Sequence, residues 1–288
     1  MYKKIITAIL GISMILGLTA CGYSEKKQEK VAAMFDSISN TQEYIILTNH
    51  KLVIGDKQYD LSEIKHEGKK CNILFLEETG FYSYTYNQED LSVQFLFTKY
   101  ENFENILLGT DTLPSKIINA FWGNNCFWFR MDDPATEEFK QMCYSWNIET
   151  KQSTTINSKE ISDNYEYSAD SNRSTQFSFQ RNDKMFNDYL DITDNNINTS
   201  KRIDKSILKT FDEGKQIKKN ALVPGFNISH AFERDGDIYF ISYYEVGFWG
   251  APCYYYIVKW NFEKETAELY AYIYFDEFQD WIVDMYII

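Results

Sequence analysis

From Tyr44 onward the chain alternates short apolar runs with polar or turn-forming clusters. Tyr44-Ile45-Ile46-Leu47 and Leu52-Val53-Ile54 flank the polar stretch Thr48 to Lys51, and Gly55-Asp56-Lys57 leads into Tyr59-Asp60-Leu61. Asn72 to Leu76 turns at Glu77-Glu78-Thr79-Gly80 into Phe81 to Tyr86, and Asn87 to Asp90 leads on to Leu91 through Phe97. Runs of four to eight residues bounded by such turns predict an antiparallel meander, and little of the 3.6-residue helical period lies between them. Only residues 1–40 depart from this pattern. Ile5 to Leu18 is a continuous apolar stretch behind Lys3 and Lys4, followed by a polar segment and a short helical pattern around Val31-Ala32-Ala33-Met34-Phe35.

Two later stretches echo each other. Cys126-Phe127-Trp128-Phe129-Arg130 leads through a charged loop to Cys143-Tyr144-Ser145-Trp146-Asn147-Ile148-Glu149; Asp237 to Ser242 leads to Tyr256-Ile257-Val258-Lys259-Trp260-Asn261-Phe262-Glu263. Both end in Trp-Asn-apolar-Glu, and both begin after a tight turn, Gly123-Asn124-Asn125 and Asp235-Gly236. Asp-Gly between strands is a strong hairpin signal, because both central positions of a type I′ turn need φ above zero. The two tryptophans stand 114 residues apart, two or three periods of 40–60 residues. Hairpins near 44–61, 81–97, 126–156, 177–203 and 237–273 make about five units. Such aromatic, turn-separated units resemble the blades of extracellular bacterial β-propellers. The expected fold is therefore all-β, a propeller-like array over 41–288 with a short helical N-terminal tether; a β-sandwich is the alternative.

The N-terminus predicts location. The apolar stretch Ile5 to Leu18 is too short to span a bilayer, which takes roughly 20 residues, and it ends at Leu18-Thr19-Ala20-Cys21. This resembles the signal peptide and lipobox of bacterial lipoproteins. The resemblance implies a signal peptide over 1–20, acylation of Cys21, a lipidated tether over 21–40, and attachment to the extracytoplasmic face of the cell membrane through the lipid.

Composition fits both expectations. Tyr, Phe and Trp make up 17% of the chain, and such side chains favour pleated, half-buried surfaces. Net charge is −13, and removing Lys3 and Lys4 with the signal makes it about −15. A surface this acidic repels phosphate backbones and anionic lipid heads, so nucleic acid is excluded as a partner and the lipid does the membrane attachment. An exported compartment permits disulfides, and a hairpin that paired Phe127 near Met142 would set Cys126 close to Cys143; buried free thiols are the plainer reading.

Candidate chemistry is sparse. His50, His66 and His230 form no metal-binding spacing, no Gly-x-Ser-x-Gly elbow occurs, and no motif implies a cofactor or a metal. Asp132 or Asp133 with Asp237 and Glu245 is the set that resembles the funnel acids of five-bladed propeller glycosidases; solvated acidic hairpins are the plainer reading. Asp191 through Asn198 is rich in the oxygens calcium takes, yet fits no calcium-loop spacing and reads as a hairpin turn. The most suggestive surface is Val246-Gly247-Phe248-Trp249-Gly250-Ala251-Pro252-Cys253, leading into Tyr254, with Trp122 in Phe121-Trp122-Gly123 as a second instance. Aromatic residues on a glycine- and proline-stiffened loop offer flat platforms for sugars or for a partner protein. The expected function is a lipid-anchored binding protein without catalytic activity, its ligand a glycan or a cell-surface protein. A carbohydrate-active hydrolase is the alternative.

Overall fold

The computed structural model describes residues 44–132, 141–157, 176–182, 189–220, 227–245, 253–275 and 282–288. In chain order, β1 (Tyr44–Thr48), β2 (Lys51–Ile54) and β3 (Lys57–Asp60) are followed by a small hairpin, β4 (Lys65–His66) and β5 (Lys69–Lys70). Next come β6 (Asn72–Leu76), β7 (Gly80–Tyr86), β8 (Ser92–Lys99) and β9 (Asn105–Thr112), then β10 (Ile117–Gly123), β11 (Cys126–Asp132), β12 (Gln141–Asn147) and β13 (Ser153–Asn157). A three-stranded sheet follows, β14 (Phe177–Asn182), β15 (Tyr189–Asp194) and β16 (Thr199–Ile203). After it come a 3₁₀ turn (Lys205–Lys209) and one helix, α1 (Asp212–Asn220). The chain ends with β17 (Asn227–Arg234), β18 (Asp237–Glu245), β19 (Cys253–Asn261), β20 (Thr266–Phe275) and β21 (Ile282–Ile287).

Five antiparallel sheets are the blades of a β-propeller. Their strand orders are β21-β1-β2-β3, β6-β7-β8-β9, β10-β11-β12-β13, β14-β15-β16 and β17-β18-β19-β20. We number them blades 1 to 5. The C-terminal β21 is the first strand of blade 1, so the ring closes by pairing the first and last described strands, Tyr44 opposite Ile287 and Ile46 opposite Met285. The β-sandwich alternative is set aside by this sheet order.

The sequence periodicity feeds the packing directly. In β18, Ile238 and Phe240 enter the cluster shared with blade 4, whereas Tyr239 and Ile241 enter the one shared with blade 1. In β1, Tyr44 and Ile46 face blade 5, and Ile45 and Leu47 face blade 2. A strand buried on both faces reads as an unbroken apolar run, which is what Tyr44-Ile45-Ile46-Leu47 is. Between blades 2 and 3 the filling is aromatic. Phe95 stacks on Trp146 with centroids 4.2 Å apart, and Tyr84 meets Phe129 edge-on at 4.9 Å. Gly109 on β9 makes room for that stack, since a Cβ there would lie 2.5 Å from Cζ2 of Trp146.

Turn chemistry fixes the hairpins. Asn124 and Asn125 have φ of 52° and 56°, and Asp235 and Gly236 have 53° and 80°, the primed geometry expected for two-residue connections. The first strands β6, β10, β17 and β21 share an irregularity. Their pairing slips by one residue after Ile73, Ile117, Ile228 and Ile282. An extra residue at the same place in four blades is a repeated bulge, which bends the strand locally.

Blade 4 has three strands among the described residues, and after β16 the chain continues into the 3₁₀ turn and α1. These bury Ile207, Leu208, Phe211 and Ile217 against Phe177 and Leu190 of blade 4 and Trp260 and Phe262 of blade 5. The register of β11 with β12 is not the one that would set Cys126 beside Cys143. Phe127 pairs with Trp146, Cys126 with Asn147 and Cys143 with Arg130. The two cysteines are thus displaced by four residues, roughly 13 Å along the strand, well beyond disulfide reach. Both are buried thiols outside any disulfide, as is Cys71, where burial pushes the thiol up to about 11. The tether, with Cys21, lies outside the described residues.

Candidate binding site at the axial mouth

The first strands of four blades end together around a cavity of about 580 Å³. Phe75 and Glu77 come from the end of β6, Trp122 from the end of β10, and Asn124 and Asn125 from the turn after it. Phe232, Glu233 and Arg234 close β17, and Tyr286 lies near the end of β21. The volume is that of a site for a small ligand or an inserted side chain. We refer to it as the axial mouth.

Its walls are aromatic. Trp122 stacks on Phe75 with centroids 5.3 Å apart and on Tyr82 at 4.3 Å, and Phe232 packs against Tyr286 at 5.1 Å. Its rim is polar and held by backbone contacts. Glu233 accepts the N–H of Gly236 through Oε1 at 3.0 Å, so the turn that ends β17 also fixes this carboxylate. Arg234 donates from Nη1 to the carbonyl of Ile287 at 2.5 Å, and its Nε lies 3.6 Å from Oδ2 of Asp235. Asn125 donates from Nδ2 to Glu149 at 2.8 Å. Burial, and then the charge of Glu77, raise the hydroxyl pKa of Tyr82 behind Trp122. Carboxylates, amides and one guanidinium over an aromatic floor equip the mouth to hold a ligand by hydrogen bonds, charge and apolar contact.

A second cavity, of about 500 Å³, opens at the other end of the first strands, between blades 2 and 3. Lys70, Asn72, Tyr84, Tyr86 and Ile118 line it.

The expected site residues fall differently. Trp122 is a strand residue only 5% exposed; it presents an edge to the mouth rather than a free face on a loop. Phe248 and Trp249 lie outside the described residues. Tyr254 falls within β19, opposite Tyr244, and its side chain is likewise outside them. Of the acid set, only Asp132 and Asp237 have described side chains, and these two do not come together. Asp237 opens β18 whereas Asp132 closes β11, the equivalent strand of blade 3, so the two carboxylates stand at opposite ends of their blades. Asp237 is held below the usual carboxylate range against its burial, by its hydrogen bonds to Lys259, 2.9 Å away, and Asn261. Asp133 lies outside the described residues, as does the side chain of Glu245.

Asp191 through Asn198 is the end of β15 and the hairpin turn that follows it. Asp194 accepts the N–H groups of Asn196 and Ile197 and the side-chain amide of Gln176, which hold it below the usual carboxylate range. Asp191 makes a two-pronged pair with Arg202 at 2.7 Å. Among the described residues no group of three or more His, Cys, Asp or Glu is arranged to hold a metal, and no helix is long and apolar enough to cross a membrane.

No protein-family model and no curated protein matches the chain. Among solved structures it is similar to TolB from Acinetobacter baumannii, with 6% identity and a TM-score of 0.29, over 80% of this chain and 53% of that one. It thus spans about half the TolB chain. It is also similar to the uncharacterized protein lmo1340 from Listeria monocytogenes EGD-e, with 9% identity and a TM-score of 0.31, over 80% and 79% of the two chains. A third similarity is to the WD40 domain of SCAP from fission yeast, with 12% identity, a TM-score of 0.23 and 85% and 61% coverage.

Proposed function

We propose that this is an exported binding protein, held at the outer face of the membrane by acylated Cys21, whose propeller captures a glycan or a protein at the axial mouth. The observation that carries the site is the convergence of four blades on one aromatic-floored, polar-rimmed cavity. The lipobox Leu18-Thr19-Ala20-Cys21 supports the anchor. Fold alone assigns no ligand, so the reading rests on the mouth.

Two measurements test it. Palmitate labelling is expected in the native chain and absent from Cys21→Ala; label retained in the variant refutes the anchor. Cell-wall fragments, glycans and peptides are then screened by intrinsic fluorescence against the native protein and Trp122→Phe. A ligand in the mouth shifts the native emission and leaves most of that shift out of the variant. A hit that shifts both alike, and is lost in Trp249→Ala, moves the site to the 246–253 loop and refutes the mouth.

A further inference from the structure

The pairing that closes the ring also decides where the chain enters it. β21 runs toward the mouth, since Tyr286 lines the cavity and the Ile287 carbonyl accepts from Arg234 on the rim. β1 pairs antiparallel to β21 with Tyr44 opposite Ile287, so it begins at the mouth and runs away from it. Tyr44 packs in the same apolar cluster as Phe232 and Tyr286 of the mouth. Adjacent strands lie about 5 Å apart, so the segment that joins Cys21 to the propeller attaches one strand spacing from the wall of the mouth.

Length then limits how the body can sit. Residues 22–43 separate Cys21 from Tyr44, and at about 3.4 Å per residue they reach at most about 75 Å. A body of residues 44–288 is about 45 Å across, and the path round it from one face to the other is about 70 Å. With Cys21 acylated, turning the mouth away from the bilayer takes nearly the whole reach drawn straight. Turning it inward takes none.

The lining narrows the partner. Phe75, Trp122 and Phe232 are 3–5% exposed, so they present no open ring face on which a sugar could stack. Asn124 is exposed on the rim, and its amide both donates and accepts, as a peptide group does. A net charge of −13 repels anionic lipid heads, which disfavours the bilayer surface itself as the ligand.

We infer that the axial mouth faces the membrane and takes an extracytoplasmic loop of an integral membrane protein. This rests on the reading of Cys21 as the anchor and of the mouth as the ligand site, and the test separates the three.

Full-length acylated protein is placed in liposomes that carry a headgroup-labelled acceptor lipid, with a fluorescent amino acid at Asn124 or at Lys116. These exposed positions flank β10 at the mouth and at the far end. They stand about 25 Å apart along the strand, so energy transfer is expected to be about twofold or more stronger from Asn124. Equal transfer, or stronger transfer from Lys116, overturns the inference and leaves the anchor standing. Asp56 and His50, exposed at the mouth and far ends of β2, serve as a second pair if the first does not fold. In Cys21→Ala transfer is expected to vanish at both positions; transfer retained there refutes the anchor and the inference with it. In cells, a photo-crosslinking amino acid at Asn124 or Lys116 reads the partner. The expected adduct forms from Asn124 but not Lys116, is digested by protease, and stays in the membrane through an alkaline wash. A protease-resistant adduct, or one released by the wash, keeps the mouth and overturns the membrane-protein partner. No adduct from either position overturns the inference, and an adduct from Lys116 alone refutes the mouth as well.

Discussion

One buried carboxylate ties blade 1 to blade 2, and removing it tests the account of the fold most directly. Asp284 sits in β21, 1% exposed, and accepts the N–H of Leu76 through Oδ2 at 2.8 Å and that of Met285 through Oδ1 at 2.8 Å. Leu76 needs such a partner for a simple reason. The N–H of Glu77 donates to Gly80, and antiparallel pairs alternate between bonded and non-bonded, so the Leu76 N–H points away from β7. It lies on the free edge of the first strand of blade 2, where no further strand follows. Asp284→Ala takes this acceptor away from a buried donor. A buried hydrogen bond to a charged group contributes about 1.5–3 kcal/mol, and the second N–H adds to the loss, so about 3 kcal/mol is expected. For a domain of this size that corresponds to a melting temperature lower by about 6–12 °C. Asp284→Asn, which keeps one carbonyl acceptor, is expected to lose about half as much. Thermal unfolding followed by near-ultraviolet circular dichroism, with urea titration alongside, measures both. An Asp284→Ala protein melting within about 1 °C of the parent would refute the idea that this contact pins blade 1 to blade 2.

Gly109→Ala is expected to destabilise by about 1–3 kcal/mol, because its Cβ drives into Trp146; an unchanged urea midpoint contradicts the close approach. The pH profile follows from the tyrosines. Burial raises Tyr84 to about 12 and also raises Tyr144 and Tyr256, with the Asp111 carboxylate adding to Tyr144. Their stabilising share is fully present below the unfolded value near 10 and is lost as pH rises through the folded values. Stability is therefore expected to be flat up to about pH 9 and to fall from about pH 10 upward. Urea midpoints across pH 8–12 check this, and a midpoint unchanged at pH 11.5 contradicts it.

Much of the fold was legible because its local signals are strong. The hairpin units near 81–97, 126–156, 177–203 and 237–273 each fall within one blade, and the turns Asn124-Asn125 and Asp235-Gly236 took the predicted geometry. The first strands β10, β17 and β21 were not read. Each carries a bulge that breaks the period of two, and in β21 a buried aspartate interrupts the apolar run. Its partner lies 208 residues away, so no local window reveals why a charge belongs there. Helix α1 escaped for the opposite reason. Within Asp212–Asn220 only Ile217 is apolar, and the helix is fixed through Ile217 and the preceding Ile207, Leu208 and Phe211 rather than by a stripe of its own. The pairing of Phe127 with Met142 missed by four residues, since a strand pair with a long connection can slip that far without changing which face is apolar.

The site was less legible than the fold, and the reason lies in propeller geometry. An exposed aromatic on a loop is visible in one stretch of sequence, but the mouth draws on Phe75, Trp122, Phe232 and Tyr286, residues spread over most of the chain. What they share is position, the last few residues of the strand that opens a blade. Trp122 was singled out with the wrong reason attached, for it precedes Asn124-Asn125 as Phe232 precedes Asp235-Gly236. Reading the residues just before each primed turn as one set would have found Glu233 and Arg234 as well. The same rule separates the acids, because Asp237 follows its turn at the mouth end whereas Asp132 closes a strand that runs away from it. In a ring of like blades, place within the repeat decides which side chains meet.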